Sequence, residues 1–460
     1  MPLIKVPENI FRAYDIRGIV DEGLNDDVMY SIGRAIGSEA IDQNASSLIV
    51  AADARLTSPQ YSAAIIEGTL ASGCDVINIG TVPSPILYFA THLLETGSGV
   101  MITGSHNPKN YNGVKIVLNQ HCLAANQITH LKDRINSNFL HVGNGKLTEI
   151  DVTDKYIKRI SDDIRLSRRW KVVIDSGNGV TGNVAPILFK ALGCEVEPLF
   201  CDTDGNFPNH HPDPTREENL QDLITKVRET DADLGIAFDG DGDRVGLVSS
   251  SGRIIDADKM LMAFTRDILP GNPDSKIIFD VKSSFHLEKL IRDFQGIPVM
   301  CKSGHSYVKQ KMQETAALLG GEYSAHIFFR HRWYGFDDGQ YTACRFLELL
   351  DKNAVSADEL LDSLPVSVST PELHIPVAED KKFIIMAQLA IKLKFDDATV
   401  SHLDGIRADF GDGWGLLRAS NTTPCLTMRF EAESPEALGK IKNLFKQAIL
   451  EIHPGLETGL

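Results

Sequence analysis

The chain has 460 residues, enough for two to four domains of about 100–200 residues each. Its 43% hydrophobic and 23% charged residues are ordinary for a globular protein and exclude wholesale disorder. Asp and Glu number 62 against 46 Lys and Arg, and the net charge of −16 argues against a protein that wraps nucleic acid or binds an anionic membrane. Seven scattered cysteines form no CxxC pair and the N-terminal segment has no signal-peptide pattern, so we expect a cytoplasmic protein.

A strand–helix–glycine–strand pattern occurs three times along the chain. Each copy begins with a short apolar run that leads to an aspartate, typical of a buried strand followed by a polar loop. The three runs with their aspartates cover residues 47–53, 171–175 and 276–280. The glycines that we expect to cap the following helices in a left-handed conformation are Gly73, Gly193 and Gly296. The pattern predicts three related βαβ-type domains, although any α/β protein contains similar units.

Two further stretches complete the predicted organisation. The longest uncharged run, residues 76–94, is interrupted by prolines and polar residues, which favours a buried strand and a helix over a membrane span. A Pro/Ser/Thr-rich linker at 363–371 precedes a segment of different character. There we predict a helix over 381–394, strands over 405–410 and 425–431, and a final helix capped by Ser434.

The predicted fold is therefore α/β with four domains: three related mixed α/β domains and a smaller C-terminal α+β domain. The predicted domains cover residues 1–150, 151–256, 257–368 and 369–460.

The segment DGDGDR at 239–244 follows an apolar strand and places carboxylates on alternate residues. Asp239, Asp241 and Asp243 can converge on a hard divalent cation such as Mg²⁺, and without a cation three buried carboxylates would repel one another. An EF-hand is excluded because Arg244 stands where that loop needs its glycine. A simple Asp/Gly turn is the structural alternative.

Three other polar loops carry candidate chemistry. TGSHNP at 103–108 places Ser105 beside a histidine after a strand, where a serine can accept and donate a phosphoryl group. RASNTTP at 418–424 combines an arginine with hydroxyl and amide groups that suit a phosphate. GEYSAH at 321–326 offers Glu, Ser and His for sugar hydroxyls. Each is individually also compatible with an ordinary turn, but phosphoryl transfer requires such a set together.

These four motifs, in this order and with FRAYDIRG at 11–18, resemble the α-D-phosphohexomutase superfamily over nearly the whole chain. The resemblance implies four domains around a central cleft and reversible interconversion of hexose 1-phosphate and hexose 6-phosphate. It also implies a phosphorylated Ser105, Mg²⁺ held by the three aspartates with a phosphoserine oxygen, and glucose 1,6-bisphosphate as intermediate and activator. Relatives of this type are monomeric and act on small sugar phosphates, so we expect no nucleic-acid or membrane partner.

The resemblance also assigns residues to roles. Around Ser105, the catalytic group would be Arg17, His106, Lys115, Arg244 and His305, with Lys115 and His305 as candidates for proton transfer. The substrate-binding residues would be Tyr14, Lys282, Gly304, Glu322, Ser324, His326, Arg418, Ser420, Asn421 and Thr422. One departure lies at 52–55, where the chain reads ADAR and lacks the arginine that relatives usually have before Asp53, while Arg55 remains.

The sequence leaves alternatives open. The sugar loop is closer to mannose and glucose enzymes, but a phosphoglucosamine mutase is a second interpretation. A third interpretation is a phosphatase with Asp239 as nucleophile and Asp241 as acid/base, although that motif has Thr or Val at the position of Asp243. A sugar-phosphate-binding protein without turnover is the non-enzymatic alternative, and the joint presence of the serine, the aspartates and both clamps argues against it.

Overall fold

The computed structural model describes residues 5–45, 47–378, 380–395, 397–420, 424–456 and 459. Within these residues the chain forms four β-sheets in succession, each packed against helices. The first three sheets mix parallel and antiparallel strands, and the fourth is antiparallel. The predicted fold class is confirmed.

The first unit contains a seven-stranded sheet. Its elements are β1 (Ile16–Ile19), α1 (Asp26–Asp42), β2 (Ser47–Ala52), α2 (Ser58–Ser72), β3 (Asp75–Thr81), α3 (Ser84–Leu93), β4 (Gly99–Ile102), β5 (Tyr111–Leu118), β6 (His121–Cys122), α4 (Asn126–Asn136) and β7 (Leu147–Glu149). The strand order is β1-β5-β4-β2-β3-β7, with β6 paired to β5. The uncharged run at 76–94 forms most of β3 and α3, as predicted.

The second unit contains a five-stranded sheet in the order β12-β11-β10-β8-β9. Its elements are α5 (Thr153–Asp163), β8 (Lys171–Asp175), α6 (Ala185–Ala191), β9 (Glu195–Leu199), α7 (Gln221–Thr230), β10 (Leu234–Phe238), β11 (Val245–Ser249) and β12 (Ile254–Ile255).

The third unit contains a four-stranded sheet in the order β14-β13-β15-β16. Its elements are α8 (Ala257–Ile268), β13 (Lys276–Asp280), α9 (Phe285–Asp293), β14 (Ile297–Cys301), α10 (His305–Thr315), β15 (Leu319–Gly321), β16 (Ile327–Phe329), α11 (Gly339–Asn353) and α12 (Ala357–Asp362).

The fourth unit contains a six-stranded antiparallel sheet in the order β17-β22-β21-β20-β19, with β18 also paired to β22. Its elements are β17 (Val368–Ser369), β18 (Leu373–Pro376), α13 (Lys382–Lys392), β19 (Thr399–Ser401), β20 (Ile406–Asp409), β21 (Gly413–Ala419), β22 (Cys425–Ala432) and α14 (Pro435–Ile452). The Ser434 side chain caps α14 by accepting from the backbone N–H of Ala437, as the sequence predicted.

The three predicted βαβ repeats are confirmed, because β2 and β3, β8 and β9, and β13 and β14 pair in parallel. Gly73 and Gly193 have the left-handed backbone expected at the helix ends, with φ of 97° and 86°. The prediction for Gly296 is wrong, since Gln295 adopts the positive φ of 62° instead. A Cβ on Gly296 would lie 2.5 Å from Leu269 Cδ1, so close packing explains this glycine.

One apolar core is continuous through the first three units and includes Phe89, Trp170 and Phe264. The fourth unit has a separate core around Phe430 and Phe445. The shared core fixes the strands of the first three units relative to one another, so the loops at their carboxyl ends are held together.

Candidate active site

One cavity is lined by residues from all four units. The loops after β4, β10, β13 and β15 contribute to it from the carboxyl ends of their strands, where open α/β sheets place their ligands. The lining residues are Tyr14, Arg17, Ser105, His106, Lys115, Arg244, Lys282, Ser303, Gly304, His305, Glu322, Ser324, His326, Glu372, Arg418 and Ser420. All of these except Ser303 and Glu372 were predicted from the sequence. Asn421 and Thr422 lie outside the described residues.

Ser105 lies in the loop between β4 and β5, almost completely buried. Its Oγ donates a hydrogen bond of 2.9 Å to Asp239 Oδ2 and lies 3.2 Å from His106 Nδ1. Its backbone has a φ of 48°, which a non-glycine residue adopts only when its surroundings hold it there. The serine oxygen is therefore fixed against the aspartate cluster.

Arg55 holds this strained loop in place. Its guanidinium donates hydrogen bonds of 2.6–2.9 Å to four backbone carbonyls, those of Ser105, Asn107, Pro108 and Tyr111. Asp53 supports the same loop by accepting from Thr103 Oγ1 at 2.7 Å and from the backbone N–H of Arg55. A Cβ on Gly104 would lie 2.5 Å from Arg55 Cζ, so the loop needs glycine there. The sequence ADAR at 52–55 therefore still contains Asp53 and Arg55, the two residues that hold this loop in place.

Asp239, Asp241 and Asp243 follow β10 and are fully buried. One carboxylate oxygen of each lies within 4.8 Å of the others, as the predicted metal cradle requires. Lys115 Nζ lies between two of them, 2.6 Å from Asp241 Oδ2 and 2.5 Å from Asp243 Oδ2. Asp241 Oδ1 and Asp243 Oδ1 have no hydrogen-bond partner in the described part of the chain. Buried, unpartnered carboxylate oxygens fit a hard divalent cation.

The cluster is electrostatically uneven. Burial and repulsion by the two neighbouring carboxylates raise the pKa of Asp239 well above its usual range. Burial would also raise the pKa of Asp241, but the Lys115 ammonium outweighs this and lowers it. Burial alone would lower the pKa of Lys115, but the carboxylates of Asp241 and Asp243 raise it well above its usual range. Lys115 therefore stays protonated and neutralises part of the cluster's charge.

The predicted sugar loop lies between β15 and β16. Glu322 Oε1 accepts a hydrogen bond of 2.7 Å from the backbone N–H of Gly304, while its Oε2 has no protein partner among the described residues. Burial raises the pKa of this carboxyl group. Ser324 lies in the same loop and lines the cavity. The loop thus offers a free carboxylate oxygen and a hydroxyl for hydrogen bonds to a ligand.

His305 begins α10 and is buried. Burial and the nearby Lys309 hold the pKa of His305 well below its usual range, so the ring is neutral. Neither ring nitrogen has a hydrogen-bond partner within the described residues. The edge of Tyr14 contacts the ring, with centroids 5.3 Å apart. Burial also raises the pKa of Tyr14 to about 12. His305 is therefore available as a proton acceptor, and Tyr14 is not.

Two cations from the third and fourth units line the same cavity. Arg418 Nε lies 3.0 Å from Asp404 Oδ2, and Lys282 Nζ lies 3.1 Å from Glu372 Oε2. Each is largely buried, and among the described residues each has one carboxylate at ion-pair distance. The fourth unit also fixes the Lys282 loop, because Arg407 donates to the carbonyl of Val281 at 2.7 Å and Arg429 donates to that of Lys282. Of the predicted phosphate clamp, Arg418 and Ser420 line the cavity in the described part of the chain, and Lys282 lines the same cavity.

Five charged residues that support the cleft were not predicted from the sequence: Lys309, Asp337, Glu372, Asp404 and Arg429. They lie outside the four motifs, so no cluster of chemically suited residues marks them in the sequence. Their only signal is a charge inside or next to an apolar segment, as for Arg429 in the alternating strand at 425–431.

No described helix is long and apolar enough to cross a membrane.

Comparison with known families gives a match in each of the four units. The Phosphoglucomutase/phosphomannomutase models match as alpha/beta/alpha domain I over residues 8–140, domain II over 154–252, domain III over 256–367 and the C-terminal domain over 372–448. The chain therefore belongs to the phosphoglucomutase/phosphomannomutase family, and the resemblance to the α-D-phosphohexomutases is confirmed.

Individual relatives are similar in sequence to this chain over nearly its full length. The chain is 50% identical over 452 residues to a phosphomannomutase/phosphoglucomutase of Pseudomonas syringae pv. tomato, covering 98% of this chain and 97% of the relative. It is 46% identical to a phosphoglucomutase of Neisseria gonorrhoeae, covering 99% of each chain. A crystal structure of a phosphoglucomutase/phosphomannomutase family protein from Burkholderia thailandensis superimposes with a TM-score of 0.94 at 46% identity, covering 98% of this chain and 99% of that one.

Proposed function

We propose that this protein is a phosphohexomutase that reversibly interconverts the 1-phosphate and the 6-phosphate of a hexose, mannose or glucose. The observation that carries the proposal is the 2.9 Å hydrogen bond from Ser105 Oγ to Asp239, within a cavity also lined by Arg418 and Lys282. A nucleophilic oxygen, a cation cradle and a phosphate clamp in one cavity are what phosphoryl transfer needs. The full-length similarity to mannose and glucose enzymes supports the choice of sugar.

In the proposed mechanism the resting enzyme carries a phosphoryl group on Ser105 Oγ. The free hydroxyl of a bound hexose monophosphate attacks this phosphorus, so that a new sugar O–P bond forms while the Ser105 O–P bond breaks. The hydroxyl proton passes to a base, and the departing Ser105 Oγ takes up a proton and becomes a hydroxyl again. The product is a hexose 1,6-bisphosphate, which turns over in the cleft and returns its other phosphoryl group to Ser105. In this return step Ser105 gives up its hydroxyl proton, and the departing sugar oxygen takes up a proton to become the free hydroxyl of the isomeric monophosphate.

The residues of the cleft would have different roles in this reaction. His305, with both ring nitrogens unpartnered in the described structure and its pKa held low by burial, is the proton acceptor we favour over Lys115, whose pKa the neighbouring carboxylates raise. Arg418 and Lys282 would hold the phosphate that is not reacting, and Glu322 would bind sugar hydroxyls. Asp239, Asp241 and Asp243, with an oxygen of phosphorylated Ser105, would hold Mg²⁺, which would neutralise charge on the transferred group.

Other parts of the proposal concern the protein as a whole. We propose that glucose 1,6-bisphosphate restores the phosphoserine when it is lost. We also propose that the enzyme is a monomeric cytoplasmic protein. Its first three domains would end at residues 150, 256 and 368. Light scattering of the purified protein and limited proteolysis are the measurements for mass and boundaries.

The test is a coupled assay of mannose 1-phosphate and glucose 1-phosphate with Mg²⁺ and a trace of glucose 1,6-bisphosphate. Wild type should convert both sugars, Ser105→Ala should convert neither, and a control Ser137→Ala on the exposed end of α4 should match wild type. Release of inorganic phosphate without a 6-phosphate product would establish a phosphatase instead. Failure with both sugars and conversion of glucosamine 1-phosphate would reassign the substrate.

A further inference from the structure

Each of the three βαβ repeats has a buried aspartate at or directly after the carboxyl end of its first strand: Asp53, Asp175 and Asp280. In each sheet that strand lies between two parallel neighbours. Asp53 accepts a hydrogen bond from Thr103, which follows the neighbouring strand β4. Asp175 Oδ2 lies 3.0 Å from Nε2 of His210, in the loop that follows the neighbouring strand β9. The repeat therefore places an acceptor where the loops of adjacent strands meet.

Asp280 connects three loops of the third unit. Its Oδ1 accepts hydrogen bonds from Ser283 Oγ at 2.9 Å and from the backbone N–H of Tyr323 at 3.1 Å. Its Oδ2 accepts from Ser303 Oγ at 2.5 Å. These three donors follow β13, β15 and β14, in that order, and β13 is the strand between the other two. One buried carboxylate thus holds the loops at the carboxyl ends of three adjacent strands.

The three donors are chain neighbours of residues that line the cavity, namely Lys282, Gly304 and Glu322. The last two are also joined directly, because the Glu322 carboxylate accepts from the Gly304 backbone N–H at 2.7 Å. A hexose monophosphate presents its phosphate and its hydroxyls at fixed separations, so the cation and the carboxylate that bind them must be held at matching positions. Asp280 links the loops of both groups and does not itself line the cavity.

We propose that Asp280 is a positioning residue, which holds the Lys282 ammonium and the Glu322 carboxylate at the separation that the substrate requires. The proposal rests on the phosphohexomutase function for the identity of the substrate, but the contacts that it uses do not depend on that function. Removal of the carboxylate would leave two buried serine hydroxyls and one backbone N–H without their acceptor, so that the three loops are no longer held together.

The first test compares KM and kcat of Asp280→Ala and Asp280→Asn for the hexose 1-phosphate and 6-phosphate that wild type converts. Alanine removes all three contacts, so KM should rise about tenfold for both substrates. Asparagine keeps an oxygen for Ser283 Oγ and the Tyr323 N–H, and its amide can donate to Ser303 Oγ. Its KM should therefore stay within about threefold of wild type.

The KM values separate positioning from a merely structural role. A structural role would lower the amount of folded enzyme, which lowers the apparent kcat and leaves KM unchanged. An unchanged KM in Asp280→Ala would therefore overturn the proposal. An asparagine variant with a KM as high as that of the alanine variant would also overturn it, because the hydrogen bonds would then not be what matters.

The matched control is Asp358→Ala, which removes a carboxylate with the same kinds of donor. Asp358 accepts from Ser249 Oγ at 2.8 Å, from Ser251 Oγ at 2.6 Å and from the backbone N–H of Ser251 at 3.2 Å. These three described residues do not line the cavity. The control variant should keep the KM of wild type for both substrates.

The second test is hydrogen exchange, which needs no substrate. In Asp280→Ala the backbone N–H of Tyr323 loses its acceptor, so its exchange should become at least about tenfold faster than in wild type. Asp358→Ala should instead accelerate exchange at Ser251 and leave Tyr323 unchanged. Equal exchange at Tyr323 in wild type and Asp280→Ala would overturn the proposal.

The outcomes distinguish this proposal from the proposed function. If wild type converts no hexose phosphate, the function fails, and the exchange rates still decide whether Asp280 holds the loops. If wild type is active and the KM of Asp280→Ala equals that of Asp358→Ala, the positioning role is wrong and the function stands. If Asp280→Ala does not fold, Ser283→Ala removes one of the three contacts and no group that lines the cavity. Its KM should rise about two- to fivefold, and an unchanged KM would overturn the proposal.

Discussion

Two regions of the cleft handle charge differently. Around Ser105 the charges are numerous and largely buried, and they compensate one another in part: Asp241 and Asp243 lie 2.5–2.6 Å from Lys115, and Asp239 lies 3.9 Å from Arg244. In the clamp region, Arg418 and Lys282 each face one carboxylate, Asp404 or Glu372, at 3.0–3.1 Å. The first region is arranged to hold a cation and a reacting group, and the second can exchange its carboxylate partners for a phosphate.

The difference has a physical consequence for catalysis. A buried cluster with an excess of carboxylates is stabilised by a bound cation and changes little as substrate enters, which is what preorganised electrostatic catalysis requires. A cation paired with one carboxylate at the cavity wall can bind either of the two phosphate positions of a hexose. Changes in the first region should therefore affect kcat, and changes in the second should affect KM.

The largest effect should come from Ser105→Ala, which removes the oxygen that carries the phosphoryl group. Turnover should fall by at least about 10³-fold, while the melting temperature and the Kd for hexose monophosphates stay close to wild type. Steady-state kinetics and calorimetry are the measurements. Residual turnover near the wild-type rate would exclude Ser105 as the nucleophile.

Asp241→Asn should have the next largest effect, because it removes one charge from the cradle while leaving its shape. We expect kcat at saturating substrate to fall by about 10–100-fold and the Mg²⁺ concentration needed for half-maximal rate to rise. A magnesium titration of the rate measures both. Asp231→Asn, at an exposed left-handed position after α7, is the control. An unchanged metal requirement in Asp241→Asn would contradict the cradle.

Arg418→Ala should raise KM about tenfold with a smaller change in kcat, since a charge-assisted hydrogen bond to phosphate contributes about 1.5–3 kcal/mol. The increase should apply to both the 1-phosphate and the 6-phosphate. The exposed Arg169→Ala serves as the control. An increase confined to one substrate would contradict a clamp that holds both phosphate positions in turn.

The smallest effect on activity is expected for Asp258, a buried residue in the first turn of α8 near the fourth unit, where the change is one of stability. Burial raises the pKa of Asp258 to about 6, above the unfolded value of about 3.9, so this carboxyl group costs stability as pH rises through that interval. Asp258→Asn should stabilise the protein by about 3 kcal/mol at pH 8 and by about half of that at pH 5. Melting temperatures at both pH values test this; an equal gain at both would contradict the raised pKa.

Much of the fold could be predicted because its determinants are local. The βαβ repeats follow from short apolar runs such as β8 and β13, and α14 begins at a Ser-Pro pair that suits a helix start. Gly296 was misinterpreted because its constraint is contact with Leu269, a residue of a preceding segment, and not a helix end. Local pattern cannot report such a contact.

The same distinction between local and long-range determinants applies to the residues of the candidate site. Residues within motifs, such as Ser105 and Asp241, could be predicted because several chemically suited side chains lie close together in the sequence. The role of Arg55 and the pairing of Asp404 with Arg418 could not, because these contacts join residues 50 and 14 positions apart and only the folded chain creates them. The roles of single charged residues depend on what tertiary packing places beside them.

The central claim is that Ser105 carries the phosphoryl group between turnovers. The most direct measurement is the mass of the intact protein, and then of its peptides, after incubation with glucose 1,6-bisphosphate and Mg²⁺. The account predicts one phosphoryl group on wild type, located on Ser105, and none on Ser105→Ala. A phosphoryl group that remains on Ser105→Ala, or one located on Asp239 in wild type, would contradict it.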